Sequence, residues 1–369
     1  MRRVEALVPD VIEDAIAICE VPAPPFQEAR RAAFVADRMQ ALGLGPVRRD
    51  GEGDVICELP GAAGGPVVVL MAHLDTVFGP EVPIAVRRDG QKLYAPGIGD
   101  NSLAVASMLR LGQVLRDLPG RGTLILAANV GEEGLGNLRG ARALWEHYGT
   151  AANAWVVLEG GMFNQPSCVG ICVRRLSVAY RGPGGHSWSD FGRPSAVHAL
   201  GRLIDQIAQM HVPSEPRTTY NVGVIQGGRT VNTIAPHASL ILDMRSEAPE
   251  TLAALERGVR GLITGIAAAA GVAAEIEVLS DRAGGRLPAG HPLIRLVEQA
   301  AEAVGVPAVW KPSSTDANIP LSHGAAAVCL GLAEGDNLHA EDEVLDVTLL
   351  PRGLQQSYLV AASLLLDRL

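Results

Sequence analysis

Short apolar runs, several rich in β-branched side chains, alternate with longer amphipathic stretches along the first part of the chain. "VIEDAIAIC" from Val11 and "QEARRAAFVADRMQAL" from Gln27 carry apolar residues at helical spacing. "VVVLMAHLD", residues 67–75, reads as a buried strand. "LAVASMLRLGQVLRDL" then predicts a helix that stops near "PGRG". "GTLILAANVGEE" is a strand, "NLRGARALWEHYG" a helix closed by glycine, and "AWVVLEGG" a further strand. Buried strands alternating with helices predict an α/β layer fold with a mostly parallel sheet.

After about residue 173 the pattern changes. "RRLSVAYRG" alternates as a half-exposed strand does, and "PSAVHALGRLIDQIAQMHV" is helical. "TTYNVGVIQGG" and "HASLILDMRS" are strands, "ETLAALERGVRGLITGIAAAA" a helix, and "AAEIEVLSD" a last strand. The order β-α-β-β-α-β predicts a ferredoxin-like α+β sandwich over residues 174–282. The first style then resumes: "HPLIRLVEQAAEAVG" is a helix, "AAAVCLGL" a strand, and "DVTLLPRGLQQSYLVAASLLLDRL" mostly helix. One α/β domain, residues 1–173 and 283–369, is therefore interrupted by an inserted sandwich.

Composition narrows the class without naming the chemistry. At 369 residues, two domains are the expectation. A hydrophobic share of 48% with 19% charged residues is that of a globular protein with a water-compatible surface. The net charge of −9 and the lack of a basic cluster argue against a nucleic-acid partner. Early acidic residues interrupt the N-terminal stretch, which lacks a signal-peptide core, and "LITGIAAAAGVAA" is too short to span a bilayer. A cytoplasmic protein without membrane association is expected. The five cysteines, Cys19, Cys57, Cys168, Cys172 and Cys329, are scattered and odd in number, and read as buried thiols.

The polar residues carry the chemical signal. His73 and Asp75 follow the first apolar run, Glu132 and Glu133 the second, Glu159 the third, and His339 lies just past the last. Asp100 stands directly before a helix. Ligand sites in open α/β sheets lie outside the carboxyl ends of the strands, so these residues are expected to converge. Each alone has an ordinary reading: Asp100 as a helix N-cap, Glu132 and Glu133 as first-turn carboxylates, Glu159 as a loop carboxylate facing water. Together they crowd carboxylates that repel unless divalent cations intervene. Two imidazoles and several carboxylates suit zinc, and two ions joined by a bridging carboxylate activate a water between them. A spare carboxylate then moves the proton. Asp75, two residues beyond His73, is placed to hold the imidazole through its other ring nitrogen.

At these residues the chain resembles the di-zinc metallopeptidases and deacylases that include peptidase T, glutamate carboxypeptidase, succinyl-diaminopimelate desuccinylase, acetylornithine deacetylase and aminoacylase. The resemblance runs over nearly the whole chain and rests on "AHLDTV", "GIGDNS", "GEEG", "LEGG", "GPGGHS", "GGRTVNTIAP" and "NLHAEDE" in that order. It implies a zinc-peptidase-like catalytic domain with an inserted lid and dimerisation domain. His73 and Glu159 would bind the first zinc, Glu133 and His339 the second, and Asp100 both. Glu132 would be the general base and acid toward the water shared by the ions. His186 in the lid would reach a scissile carbonyl in a partner subunit, and Asn232 and Arg245 would contact substrate polar groups, often a carboxylate. Arginine suits that task by its bidentate fork. The implied activity is hydrolysis of an amide bond in a small peptide or N-acyl amino acid by a homodimer, with cobalt or manganese as substitute metals.

One departure bears on subfamily and so on substrate. Many members follow the bridging aspartate with Asp-Lys or Met-Lys, whereas Asn101 and Ser102 follow Asp100 here. "SSTDANIP", residues 313–320, resembles a substrate-side loop and equally reads as a Pro-bounded turn. Two other classes compete: a non-catalytic binding or assembly module on the same fold, and a di-metal hydrolase of a non-peptide ester. The intact histidine and acidic set argues against the first, and the lack of a phosphate-cradling loop against a phosphoesterase. Aminopeptidase, carboxypeptidase and deacylase are not separated by these residues.

Overall fold

The computed structural model describes residues 1–368; Leu369, the last residue of the expected final helical segment, lies outside the described residues. The chain forms two compact units, one built from Met1–Gly170 and the chain from Arg286 onward, the other from Ile171–Gly285.

The first unit is built on a six-stranded sheet ordered Val47–Arg49, Val55–Leu59, Thr123–Asn129, Val67–His73, Ala154–Glu159, Ala327–Gly331. The last four are mutually parallel, as the apolar runs predict. Their side chains are buried almost without interruption, which is why these strands read as continuous apolar runs rather than alternating ones. The helix Leu103–Arg116 packs on the central strands and on the helices Val8–Cys19 and Leu350–Leu365.

Two strands at one edge are antiparallel and were not foreseen. Val47–Arg49 is short and mostly exposed, so it carries no periodic signal. Its turn into Val55–Leu59 is built by Asp50, whose Oδ1 accepts the N–H groups of Glu52, Gly53 and Asp54 at 2.9–3.0 Å. A small four-stranded sheet, ordered Glu334–Asp336, Val344–Asp346, Lys92–Tyr94, Arg87–Asp89, was also not foreseen. Its strands have three residues each, too few for alternation to show.

The second unit is the expected sandwich. Its four-stranded antiparallel sheet is ordered Thr218–Gly227, His237–Ser246, Cys172–Arg181, Ala273–Arg282. The first and third strands of the β-α-β-β-α-β order therefore lie side by side at the centre. The helices Ala196–Ala208 and Pro249–Ala270 pack on each other and against these central strands. Burial alternates residue by residue along His237–Ser246, the mark of a sheet covered on one face. A two-stranded ribbon, Gly185–His186 with Thr233–Ile234, completes this unit.

Candidate metal centre

Parallel strands end at one edge of the sheet, and register decides which residues meet there. Met71 pairs with Val157, which sets His73 level with Glu159 on the adjacent strand. His73 pairs with Asn129, so "VGEE" begins where the first strand's histidine stands. Residues far apart in sequence thus meet because neighbouring strands lie about 4.8 Å apart.

The carboxylate of Asp100 stands at the middle. Its Oδ1 is 3.1 Å from His73 Nε2 and its Oδ2 is 2.9 Å from His339 Nε2. Glu159 Oε2 lies 3.7 Å from His73 Nε2, and Glu133 Oε1 lies 3.2 Å from His339 Nε2. Two donors held about 2.0–2.2 Å from one ion sit roughly 3–3.5 Å apart; His73–Asp100 and His339–Glu133 have that spacing, and His339–Asp100 and His73–Glu159 lie just to either side of it. His73, Asp100 and Glu133 each offer a ligand atom within 4.8 Å of the others. The donor set is imidazole and carboxylate, without thiolate, and fits zinc or a harder divalent ion.

Electrostatics point the same way. Burial pushes Glu133 up to about 8, with the Asp100 charge adding to it. Burial also lifts Glu159, to about 7, against the pull of His73. Burial works against a charged His73, yet its hydrogen bonds to Asp100 and Glu159 hold it well above the ordinary imidazole value. Hydrogen bonds to Asp100 and Glu133 push His339 up to about 10. Asp100, despite burial, is held far below the usual carboxylate range by the two imidazoles. The carboxylates thus draw positive charge toward themselves, and a divalent cation supplies it without protonating the histidines.

Several of these residues are held from behind by buried groups. Asp75 acts otherwise than expected. His73 Nδ1 bonds the main-chain carbonyl of Asp75 at 3.0 Å, while the Asp75 carboxylate is 3.7 Å away. That carboxylate instead accepts the N–H groups of Glu132 and Glu133 at 3.1 and 2.7 Å. The strand ends at His73, so the chain turns and the two side chains no longer share a face. Buried Glu132 belongs to the cluster, since its charge raises Glu133, Glu159 and Asp316.

The Asp100 loop is wound round buried Glu343, whose carboxylate accepts the N–H groups of Gly97, Gly99 and Asp100 at 2.7–3.1 Å. Gly97, at φ +77°, makes the turn into that loop, a conformation glycine takes at little cost. Asp100 is not a helix cap: its backbone is extended, at φ −116° and ψ 88°, and the helix starts only at Leu103. His339 has φ +68°, a left-handed backbone rare for a non-glycine residue.

Glu343 was not singled out from sequence, nor were Asn129 and Asp316. Nothing in an acidic loop distinguishes a carboxylate that grips backbone from one that faces water. Asp316 is fully buried, its Oδ2 accepts Asn129 Nδ2 at 2.7 Å, and burial together with the Glu132 charge lifts its carboxyl well above the usual range. The segment 313–320 therefore packs inward at Thr315, Asp316 and Asn318, and Asn318–Ser322 is a short helix.

The second unit brings together two of its three expected residues. Ser187 N–H donates to the Asn232 carbonyl at 3.0 Å, so His186 and Asn232 lie at one end of the ribbon. His186 Nδ1 faces the N–H groups of Trp188 and Ser189 at 3.2 and 3.5 Å. Trp188, Phe191 and Val231 near them are 87%, 91% and 104% exposed. Arg245 is elsewhere. It lies near the end of the strand whose start, His237, pairs with Arg181, and its Nε donates to Asp243 at 2.8 Å.

Comparison with known proteins decides the family. The sequence profile of peptidase family M20/M25/M40 matches residues 69–362. The chain belongs to this family. An acetylornithine deacetylase of Myxococcus xanthus is 26% identical over 348 residues, 89% of this chain and 88% of that one. The crystal structure of aminopeptidase PepT from Bacillus cereus superposes with a TM-score of 0.81 at 22% identity, covering 97% of this chain and 98% of that one. The YxeP protein of Bacillus subtilis, a dinuclear metal-binding peptidase of family M20, gives a TM-score of 0.74 at 18% identity over 98% and 99% of the chains. As an M20 member the chain is a metallo-hydrolase, with its His/Asp/Glu cluster as candidate metal site. No helix among the described residues is long and apolar enough to cross a membrane.

Proposed function

We propose that this M20 protein is a di-zinc amide hydrolase acting on a small peptide or an N-acyl amino acid. The observation that carries the reading is Asp100, whose two carboxylate oxygens face separate imidazoles, each with a further carboxylate beside it. His73 and Glu159 would hold one ion, His339 and Glu133 the other, with Asp100 shared between the two sets. When bound, zinc, or cobalt or manganese in its place, would supply Lewis acidity toward the substrate carbonyl and the attacking water.

Glu132 takes the proton from that water and returns it to the leaving amine. Its main chain is anchored by Asp75, so its carboxylate stays in register with the donors. His186 donates a hydrogen bond to the developing oxyanion. Its Nδ1 accepts from its own turn, which leaves the proton on Nε2. Asn232 orients substrate polar groups. Arg245 receives a substrate carboxylate, since Asp243 takes its Nε and leaves the two terminal nitrogens for a bidentate pair.

A homodimer belongs to this reading. His237 and Arg245 are separated along one strand by about 27 Å at roughly 3.4 Å per residue. With His186 and Asn232 at the ribbon that leads into the start of this strand and Arg245 near its other end, a site completed by two copies suits this reading. The exposed Trp188, Phe191 and Val231 beside His186 suit burial against a second copy. The free state of all five cysteines fits a reducing, cytoplasmic location.

A panel of dipeptides, tripeptides and N-acyl amino acids, assayed with and without chelator and with metal content measured, tests the reading. Hydrolysis that is lost on chelation and restored by zinc is expected. Turnover of every amide unchanged after complete metal removal overturns it.

A further inference from the structure

Asn101 directly follows Asp100 in the chain, and the structure gives it a definite task. It is fully buried. Its Nδ2 donates to the Leu158 carbonyl at 2.9 Å, and its Oδ1 accepts Gly160 N–H at 2.9 Å. The two partners leave no choice of amide orientation, because a carbonyl only accepts and an N–H only donates. Those two groups belong to the peptide bonds on either side of Glu159.

Carbonyl i−1 and N–H i+1 are the pair that a strand offers to a parallel neighbour. On one side, the strand Ala154–Glu159 keeps its neighbour to the end: Gly331 pairs with Glu159, and Leu332 N–H donates to the Glu159 carbonyl at 3.0 Å. On the other side, pairing with Val67–His73 stops at Met71–Val157. The Leu158 carbonyl and Gly160 N–H, two residues further along, would otherwise be buried without strand partners. The Asn101 carboxamide fills that gap as a peptide group would. The close approach is visible at Gly160, where a Cβ would fall 2.0 Å from the Gly99 carbonyl oxygen.

We propose that Asn101 is a positioning residue: its carboxamide replaces the missing strand neighbour beside Glu159 and so holds the Glu159 carboxylate toward His73, while Asp100 is held separately by Glu343. The proposal rests on the di-metal reading above. An aspartate here keeps the acceptor for Gly160 but turns an oxygen against the Leu158 carbonyl, and an alanine removes both bonds. Glu343 grips the same loop through Gly97, Gly99 and Asp100, so the loop stays wound when Asn101 is altered.

The test is calorimetric titration of metal-free wild type, Asn101→Asp, Asn101→Ala and Glu159→Gln with zinc and with cobalt, alongside their metal-free melting curves. One of the two ions should bind about ten- to a hundred-fold more weakly in both Asn101 variants, the loss expected when a partner behind a ligand is removed. The other ion should stay within about threefold, a range too small for loss of such a partner. The same ion should be the one weakened by Glu159→Gln, and Asn101→Asp added to Glu159→Gln should cost little more. Wild-type affinity for both ions in variants that merely melt earlier overturns the proposal, as do losses that add fully in the double variant. Wild-type protein that binds fewer than two ions overturns the underlying reading instead, and the variants then need not be compared.

Discussion

The two units carry their candidate residues in opposite ways. In the first, four of the five candidate donors, and Glu132 beside them, are set by a buried group bonding main chain or ring: the Asp75 carbonyl on His73, the Asp75 carboxylate on Glu132 and Glu133, Glu343 on Asp100, and Asn101 on both sides of Glu159; the exposed His339 is the exception. In the second, His186 is exposed, its ring held only by N–H groups of its own turn, and aromatic side chains stand in solvent beside it. The first unit is organised before anything binds. On the proposed reading, the second offers groups that a further surface would complete. Preorganisation follows burial, because a buried polar atom must have a fixed partner, whereas an exposed one is satisfied by water.

The largest effect should come from the first unit. Glu132→Ala should keep both ions, measured by elemental analysis, and lose about 10²- to 10⁴-fold in kcat. Near-normal turnover would take the proton-transfer role away from Glu132. His186→Ala should lose about 10²- to 10³-fold in kcat with unchanged metal content. If the second unit serves a neighbouring copy, mixing subunits of these two inactive variants should restore about a quarter of wild-type activity, since half the dimers are mixed and each has one intact site. No recovery on mixing and reassembly would place His186 in its own chain's site.

If the first unit holds two ions as proposed, Asp75→Ala should separate them. Its carboxylate holds Glu132 and Glu133, while its carbonyl, untouched by the substitution, holds His73. The ion on Glu133 and His339 should therefore weaken about ten- to a hundred-fold, and the ion on His73 much less. The reverse order would restore the simpler view that the carboxylate orients the imidazole.

The smallest effect concerns stability. Asp54 is fully buried, and burial, with the charge of Asp50 adding, lifts its carboxyl to about 9. A carboxyl raised in the fold contributes stability below its unfolded value near 4, and that contribution is lost as pH rises through the folded value. Asp54→Asn keeps an acceptor for Val130 N–H, now bonded at 2.9 Å, and carries no charge at any pH. The variant should be more stable than wild type by about 1–2 kcal/mol at pH 8, with the difference shrinking toward pH 4, in denaturant melts. Equal stability across that range would mean that Asp54 is ionised at little cost.

Much of this was legible in the sequence. Continuous apolar runs reveal buried parallel strands, alternation reveals a sheet covered on one face, and polar residues at strand ends reveal where a ligand belongs. His73, Asp100, Glu133, Glu159 and His339 were all marked in this way, with Glu132 beside them. What escaped were the short strands, too brief for any period, and the groups that grip backbone. Glu343 and Asp316 look like any loop carboxylate, and Asn101 stood out only as a departure from a motif. Asp75 was recognised but given the wrong atom. The identity of a side chain states what it can donate or accept; which peptide group it meets depends on where the chain turns after each strand. Sequence alone thus determined the layers, the inserted sandwich and the imidazole and carboxylate side chains that end the central strands. Only the tertiary structure decided which buried polar atom steadies which donor, because those bonds join residues that register and loop geometry bring together.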